Sequence, residues 1–486
     1  MKILTPFLSG ILLLTACTHG GRHIASAPLI PPHLDNFLAA SEVILNDVED
    51  ARFPEYCVSY LKELEINIDS MSASSAQQEL KQNAEALFKA SWEIRNRLHK
   101  RLSEFDKDCS HQIVSSFRQF RFLEDYFLEI SRDVEDKLPA EIKFQEQPIP
   151  MIANNIPYYS FLSAPDIKLE AGDILVSRGM SFISGMIARL GVRPTHFSHL
   201  IMVHEDSETK KLQTIESYIG VGVGTYDLDY ALKNENVRIL WLRPKDREMG
   251  KKASYKMAEL LKEKKRIRYD YSMDFEDQER MSCSEVVKAG YQMASSDFKV
   301  PYYPNEILDN SDLVKRLKLV HGETFEPGDM EIDPRFELMG EFRDIRLTRD
   351  ARQKDAIMSA IFNWLENKNY VLKDNMESYL AGSVIFAARK TFLWPLIQKT
   401  LKIEDFSKEI PPRMLRTVQI MNTLGAELLE ELKKRDAQFE SQNGVPMTYM
   451  DFAKNLEEMR IEDLSLYQNK KTRKLARIHK LIRPRK

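Results

Sequence analysis

A short string around Cys283, MSCSEVV at residues 281–287, constrains this chain more than any other segment. Ser282 and Glu285 have the spacing of a capping box, in which a serine and a glutamate three residues later close the first turn of a helix. A helix is therefore predicted to begin here, with Cys283 in its first turn. Backbone N–H groups and the helix dipole stabilise a reactive thiolate at that position. The alternative is an unreactive buried thiol, since free cysteines are often buried.

Two strand-like segments supply partners for this cysteine. Residues 197–203 (FSHLIMV) and 212–218 (LQTIESY) have the composition of strands, and the polar stretch between them fits a hairpin loop. A hairpin symmetric about residues 207–208 places His199 opposite Glu216, where cross-strand Cβ atoms are roughly 5 Å apart. A carboxylate that holds an imidazole, together with a thiol at a helix start, is the arrangement of a cysteine hydrolase.

Several strings, taken in order, resemble the permuted papain-like amidases of the YaeF/YiiX group in the NlpC-type cysteine peptidase superfamily. The strings are GDILV at 172–176, FSHL at 197–200, IES at 215–217, YD at 269–270 with Phe275, and SCSE at 282–285. The resemblance covers about residues 165–305, under a third of the chain. It implies an α+β fold: a permuted papain-like domain with a small antiparallel sheet, flanked by N- and C-terminal all-α segments.

The resemblance also implies roles for individual residues. Cys283 is expected to be the nucleophile, His199 the general base and acid, and Glu216 the residue that orients the imidazole. Tyr269, Asp270 and Ser282 are expected to shape the substrate pocket. The family often has an aromatic residue immediately before the cysteine, whereas this chain has Ser282, so that wall of the pocket differs. No cofactor or metal is expected.

The first 16 residues have the pattern of a bacterial lipoprotein signal peptide. Lys2 is positively charged, residues 3–14 are mostly apolar, and LTAC at 14–17 resembles a lipobox. Cleavage before Cys17 would leave this cysteine as a lipidated N terminus. Thr18, in place of aspartate, resembles the sorting pattern of the outer membrane, facing the periplasm. An ordinary secretory signal is the alternative, whereas a membrane span is disfavoured because the apolar run is shorter than ~20 residues.

With Cys17 and Cys283 assigned in this way, Cys57 and Cys109 remain among the four cysteines. An exported protein folds in an oxidising compartment, so a disulfide between the two is expected. Two buried free thiols are the alternative.

Length and composition agree with a chain of two or three globular domains. The 486 residues are 43% hydrophobic and 29% charged, with a formal net charge of -3. Neither this charge nor an exported location favours nucleic acid as a partner. The predicted segments are a signal peptide at 1–16, a lipidated tether at 17–32, a helical domain at 33–138, a linker at 139–165, the catalytic domain at 166–305, a helical region at 306–469 and a basic tail at 470–486.

Helical spacing of apolar residues supports the N-terminal helices, and no glycine or proline lies between Pro54 and Pro139. The stripe consists of Leu80, Ala84, Leu87, Ala90, Ile94, Leu98 and Leu102. Further helices are predicted at 254–264, 350–367, 376–391 and 414–434, and strands at 174–176, 199–203, 213–218 and 237–243.

The C-terminal tail holds nine basic residues among its last 17. Leu475, Ile478, Leu481 and Ile482 alternate with them at near-helical spacing, which is typical of a basic amphipathic segment that contacts an anionic surface. A solvated, frayed terminus is the alternative.

Two other patterns invite functional interpretations that the residues do not support. His196 and His204 flank His199, but strand alternation sends His199 and His204 to opposite faces, which disfavours a metal site. The run Gly220-x-Gly222-x-Gly224 lacks the residues of a phosphate-binding loop, so a mobile or tightly turning edge beside the site is predicted instead.

The sequence thus predicts an envelope-anchored cysteine hydrolase that cleaves an amide bond through a thioester, with cell-wall peptide as a candidate substrate. An acyltransferase or lipid hydrolase of the lecithin retinol acyltransferase type is the alternative, and an elongated apolar groove would favour it. A catalytically inactive surface scaffold is the second alternative.

Overall fold

The fold begins with four α-helices that bury the apolar stripe seen in the sequence. They are α1 (Leu34–Asp47), α2 (Phe53–Asp69), α3 (Ala73–Lys100) and α4 (Lys107–Ile130). Asp106 caps α4, its side chain accepting a hydrogen bond from the Cys109 N–H at 2.8 Å. Cys57 on α2 and Cys109 on α4 form a disulfide, so the free-thiol alternative does not hold.

The computed structural model describes residues 34–69, 73–131, 143–144, 147–148, 151–153, 169–233, 236–307, 312–319, 322–373 and 410–485. The signal peptide, Cys17, the tether and the predicted helix at 376–391 lie outside these ranges. The described residues belong to one compact unit that begins at Pro32.

Seven strands form the central sheet, and every neighbouring pair is antiparallel. They are β3 (Met151–Ala153), β4 (Ile174–Gly179), β5 (His199–Glu205), β6 (Leu212–Tyr218), β7 (Gly222–Asp227), β8 (Asn236–Pro244) and β11 (Phe336–Arg343). Their order across the sheet is β3-β11-β8-β4-β5-β6-β7. The other strands in the described part of the chain form three two-stranded ladders: β1 (Lys143–Phe144) with β2 (Gln147–Pro148), β9 (Asn305–Ile307) with β10 (Gly322–Thr324), and β12 (Tyr370–Leu372) with β13 (Ile482–Pro484).

Helices lie around this sheet and form a C-terminal bundle. They are α5 (Phe182–Ile187), α6 (Leu228–Lys233), α7 (Arg247–Lys264), α8 (Cys283–Ala294), α9 (Asp312–Leu317), α10 (Ile345–Glu366), α11 (Pro412–Asn443), α12 (Tyr449–Gln468) and α13 (Ile478–Leu481). Short 3₁₀ turns occupy Leu102–Glu104, Pro327–Ile332 and Arg473–Leu475. The expected mixture of α and β structure with helical flanks is present.

Both faces of the sheet are buried, as β4 illustrates. Ile174 and Val176 belong to the core shared with α8 and the N-terminal helices, whereas Leu175 belongs to a separate core with Trp241. Successive residues of a strand point to opposite faces, so a run of apolar residues is what a two-sided strand requires.

The prediction that residues 306–469 are helical is incomplete, because β11 lies inside this region. It pairs with β8 over residues 336–343 and extends the sheet beyond residue 305, where the catalytic domain was predicted to end. Its strand partners lie about a hundred or more residues earlier in the chain, so local periodicity carries no signal for the pairing.

Buried ion pairs connect the N-terminal helices to β11. Arg95 on α3 donates to Glu341 at 2.6 Å and to Glu124 at 2.6 Å. Arg121 on α4 donates to Glu341 at 3.0 Å, as does Arg343. Because these side chains are almost completely buried, the pairs depend on one another for charge compensation.

The basic tail is docked onto the C-terminal bundle, so neither a frayed terminus nor a free amphipathic helix describes it. Ile478 and Ile482 are buried in the bundle core, and β13 pairs with β12. His479 Nδ1 lies 2.7 Å from Asp463 Oδ2. The basic residues from 470 to 485 remain exposed, and their contact with an anionic surface stays a prediction.

Within the described ranges, no helix has both the length and the apolar content needed to cross a membrane.

Candidate active site

The β5–β6 hairpin brings His199 and Glu216 together. His199 Nε2 lies 2.7 Å from Glu216 Oε2. The predicted register is wrong by two residues, since Met202 pairs with Ile215 and His199 is therefore not directly opposite Glu216. A shift of two residues keeps every side chain on its original face, so the diagonal contact survives.

Glu216 is fully buried, and three side chains contact its carboxylate. Besides His199, the Tyr218 hydroxyl donates to Oε2 at 2.7 Å, and the Thr214 hydroxyl donates to Oε1. Thr214, Glu216 and Tyr218 share one face of β6 because they alternate along the strand. The Tyr218 ring also stacks on His199, with centroids 5.1 Å apart. Sequence reasoning missed Thr214 and Tyr218, although the alternation Thr-x-Glu-x-Tyr was visible.

Cys283 is the first residue of α8, as the capping box predicted. The Ser282 hydroxyl accepts a hydrogen bond from the Glu285 N–H at 3.4 Å, and Glu285 Oε2 accepts one from the Ser282 N–H at 2.6 Å. The Ser217 hydroxyl donates to the carbonyl of Met281 at 2.5 Å. This last contact ties the strand that carries Glu216 to the residues just before Cys283.

His199 and Cys283 shift each other's pKa values. Burial alone would raise the pKa of the Cys283 thiol, but its hydrogen bond and charge interaction with His199 lower that pKa below its usual value. Burial would likewise lower the pKa of His199, whereas its contacts with Cys283 and Glu216 raise it to about 10. Hydrogen bonds to the sulfur from the Leu200 backbone and Ser284 also favour the thiolate. Both shifts favour the thiolate–imidazolium form of the pair.

Tyr269 is buried beside this pair, whereas Asp270 organises the adjoining loop. Burial raises the pKa of Tyr269 well above its usual value, and the charge of Cys283 adds to the effect. Asp270 accepts hydrogen bonds from the Ser272 N–H at 2.9 Å and the Asp274 N–H at 3.0 Å. Of the three predicted pocket residues, Tyr269 is the one with a charge interaction with the thiolate, and Ser282 acts as the helix cap.

Three carboxylates lie close together at the N-terminal end of α8. Asp270, Asp274 and Glu285 each offer an oxygen, and these oxygens are within 4.8 Å of one another. Burial raises the pKa of Glu285 to about 7, and the charge of Asp270 adds to the increase. Oxygen ligands of this kind suit a hard divalent cation. The backbone and cap hydrogen bonds of Asp270 and Glu285 also explain why both are buried.

The two histidines that flank His199 lie elsewhere. His196 Nε2 is 3.3 Å from Asp355 Oδ2, and its ring packs against Phe122. His204 packs against Tyr255.

The glycine run turns and then enters an edge strand, so the predicted turning edge is present. Gly220 lies in the turn after β6 with a φ of +90°, and Gly222 and Gly224 lie in β7. Gly222 has a φ of +94°, and a Cβ there would lie 2.2 Å from the Ile267 carbonyl oxygen. The glycine is thus required for the close approach of residues 267–268 to β7.

Comparison with known proteins adds little. No family model and no curated protein sequence matches the chain. A crystal structure of metalloprotein yiiX from Escherichia coli O157:H7 aligns with 35% of this chain and 96% of its own length, at 21% identity and a TM-score of 0.27. So low a score establishes no relationship between the two proteins.

Proposed function

We propose that this protein is a cysteine hydrolase that cleaves an amide bond by acyl transfer. The observation that carries the proposal is the contact of His199 Nε2 with the buried carboxylate of Glu216 at 2.7 Å, in a histidine whose interaction with Cys283 lowers the pKa of that thiol. Such a combination of nucleophile, base and orienting group is typical of enzymes that form a covalent thioester.

In the proposed reaction, the Cys283 thiolate attacks the carbonyl carbon of the substrate and forms a C–S bond. The C–N bond then breaks, and the His199 imidazolium gives its proton to the departing amine. Neutral His199 next takes a proton from water, which attacks the thioester and releases a carboxylic acid. The sulfur leaves as the thiolate, so the dyad returns to its starting state.

Glu216 would support both half-reactions by orienting the imidazole. Its contact with Nε2 leaves the other ring nitrogen, Nδ1, to face the sulfur. The negative oxygen of the tetrahedral intermediate also needs a donor. The backbone N–H of Cys283 is a candidate because the first N–H groups of a helix have no partner within it.

The test is alkylation of the chain from residue 18 onward by iodoacetamide across a pH series. Cys57 and Cys109 are bonded, so Cys283 is the one free thiol among the described residues. We expect labelling well below the pKa of an ordinary thiol, ~8.5, and a marked slowing in His199→Ala. His204→Ala is the matched control, since it removes a histidine from the same strand that packs against Tyr255.

A labelling profile that follows an ordinary thiol and is unaffected by His199→Ala would rule out the hydrolase proposal. The scaffold interpretation would then account better for the chain. Cys283→Ala provides the background for both measurements.

The proposed location is the bacterial cell envelope, through a lipid on Cys17. Its support is the signal-like segment and LTAC at 14–17. Expression of Cys17→Ser in a bacterial host should move the protein from the membrane fraction to the soluble fraction. Retention of the variant in the membrane would contradict the lipid anchor and would direct attention to the exposed cations of the tail.

A further inference from the structure

The basic tail, residues 470–485, does not present the apolar face of an amphipathic helix. Ile478 and Ile482 are buried in the core of the C-terminal bundle, and Leu481 packs against that core. Leu475 is the exception among the four apolar residues of the tail, because 58% of its surface is exposed. A partner of the tail therefore meets its cations and Leu475, whereas the other apolar side chains are already used by the fold.

Hydrogen bonds fix the turn that carries Leu475. The Thr472 hydroxyl donates to the carbonyl of Leu466 at 3.0 Å, and Arg473 Nε donates to the carbonyl of Tyr467 at 2.9 Å. Both carbonyls belong to the last turn of α12. On the other side of Leu475, the pairing of β13 with β12 holds the end of the tail. Because the tail is held at both ends, little backbone freedom remains to be lost when it binds a partner.

Most of the exposed cations of the tail have no acidic partner. Arg477 lies 3.2 Å from Glu427, and the carboxylate of Asp463 contacts His479. Among the described residues, no carboxylate pairs with the other seven exposed cations, which are Lys470, Lys471, Arg473, Lys474, Lys480, Arg483 and Arg485. A chain with a formal net charge of -3 thus concentrates positive charge on one short segment. Such a segment attracts an anionic surface.

We propose that the folded tail binds an anionic phospholipid bilayer, with its cations at the headgroups and Leu475 in the apolar region next to them. Each lysine or arginine near such a surface contributes ~1 kcal/mol, which corresponds to about a fivefold gain in binding. A soluble polyanion would also pair with the cations, but it would leave Leu475 in water. The bilayer is the partner that suits both features. This proposal goes beyond the hydrolase function and does not depend on it.

The contact should depend strongly on salt. The Debye length falls from about 10 Å at 0.1 M ionic strength to about 3 Å at 1 M, so the attraction between exposed cations and headgroups is then largely screened. A lipid attached to Cys17 would be held by its apolar chains, which salt does not weaken. A wash at about 1 M salt therefore separates attachment through the tail from attachment through a lipid.

The test is co-sedimentation of the chain from residue 18 onward with phosphatidylcholine vesicles, with and without phosphatidylglycerol. We expect binding to the vesicles that contain the anionic lipid, and loss of that binding at high salt. The far-UV circular dichroism should stay unchanged, because the tail binds in its folded form. Equal binding to both kinds of vesicle, or binding to neither, would overturn the proposal. A gain of helical signal would also overturn it, since the tail would then leave the bundle to bind.

Charge variants show whether the tail itself is responsible. Lys471→Gln/Lys474→Gln should weaken binding to the anionic vesicles by about 25-fold, since two cations each contribute about fivefold. Lys62→Gln/Lys81→Gln is the matched control, because it removes the same charge from exposed positions on α2 and α3. Equal losses in the two variants would mean that only net charge matters, and they would overturn the proposal.

Leu475→Ser distinguishes a bilayer from a soluble polyanion. The substitution should weaken vesicle binding by about fivefold, because the exposed part of Leu475 would no longer leave water on binding. Binding of inorganic polyphosphate should be unchanged in this variant. Unweakened vesicle binding by Leu475→Ser, or binding of polyphosphate without binding of vesicles, would overturn the bilayer as the partner. Labelling of Cys283 tests the hydrolase proposal separately, so either proposal can fail alone.

Discussion

Replacement of Glu216 by glutamine isolates the contribution of one buried charge to the dyad. Glutamine has the same shape, and its carbonyl oxygen can accept the hydrogen bonds that His199 and Tyr218 direct at Oε2. The amide nitrogen would then face the Thr214 hydroxyl, which can rotate to accept. The substitution therefore removes the charge with little change in packing.

The expected magnitude follows from the His199–Glu216 contact. A hydrogen bond to a charged group contributes about 1.5–3 kcal/mol, and one pKa unit corresponds to about 1.4 kcal/mol. Removing the carboxylate should therefore lower the pKa of His199 by about one to two units. Starting from a pKa of about 10, the imidazolium would lose its proton at about pH 8 to 9. The balance between the ion pair and the neutral pair shifts toward the neutral pair by about 10- to 100-fold.

The assay is a pH titration of ¹³C-labelled histidines by NMR, in which comparison with His199→Ala identifies the signal. Alkylation of Cys283 at neutral pH gives an independent measurement, and it should be slower in Glu216→Gln. Glu205→Gln is the matched control, because Glu205 lies at the opposite end of β5 and contacts Tyr255 and Lys210.

A His199 titration in Glu216→Gln that matches the titration in the unmodified protein would contradict the expected shift. An equal shift of the His199 pKa in Glu205→Gln would also contradict it. The first result would mean that Cys283 alone sustains the imidazolium, and the second would mean that the effect is a general loss of negative charge.

Three further predictions concern stability, each measured by urea unfolding. The double variant Cys57→Ser/Cys109→Ser should lose about 4 kcal/mol by the chain-entropy model, because the disulfide spans a sequence separation of 52 residues; an unchanged midpoint would contradict this. Glu341→Gln should lose about 3–5 kcal/mol, since it removes one negative charge from a buried network and leaves an excess of positive charge there; a loss typical of a surface site would contradict it. Burial raises the pKa of Asp329 to about 7. The contribution of its protonated form to the free energy of unfolding is therefore fully present below about pH 4 and is lost as pH rises through about 7. Asp329→Asn should flatten that dependence and be the more stable form at about pH 8; parallel pH profiles would contradict the assignment.

The local features of the site were predictable because each depends on a short stretch of sequence. The capping box at Ser282 and Glu285 needs only residues three apart, and the structure contains it. The face shared by His199 and Glu216 follows from strand alternation, which tolerates an error of two residues in the register. The exact register was not predictable, because the loop of residues 206–211 is not symmetric about residues 207–208.

Features that depend on distant parts of the chain were missed. The edge strand β7 was not predicted because glycines are uncommon in strands. Gly222 is required because the carbonyl oxygen of Ile267 lies where a Cβ would be. The strand β11 forms because β8 and β3 lie on either side of it.

The helical flanks were predicted as separate segments, yet buried charges unite them with the sheet. Among the residues that the structure describes, the network has five arginines and five carboxylates, so their formal charges balance: Arg95, Arg121, Arg178, Arg238 and Arg343 with Glu124, Asp125, Glu331, Glu341 and Asp355. Charged residues usually indicate an exposed surface, which is why the sequence concealed this interface. Division of the chain at the predicted boundaries would leave several of these charges buried without a partner.

This network also reaches the strand that carries the proposed base. Arg238 pairs with Asp125 on α4 and donates to the carbonyl of His196 at 3.4 Å. Asp355 on α10 lies 3.3 Å from the His196 ring. His196 has a φ of +77°, a conformation that a non-glycine residue keeps only when its surroundings hold it. Both helical flanks thus hold the turn three residues before His199, so their role includes positioning the imidazole against Cys283.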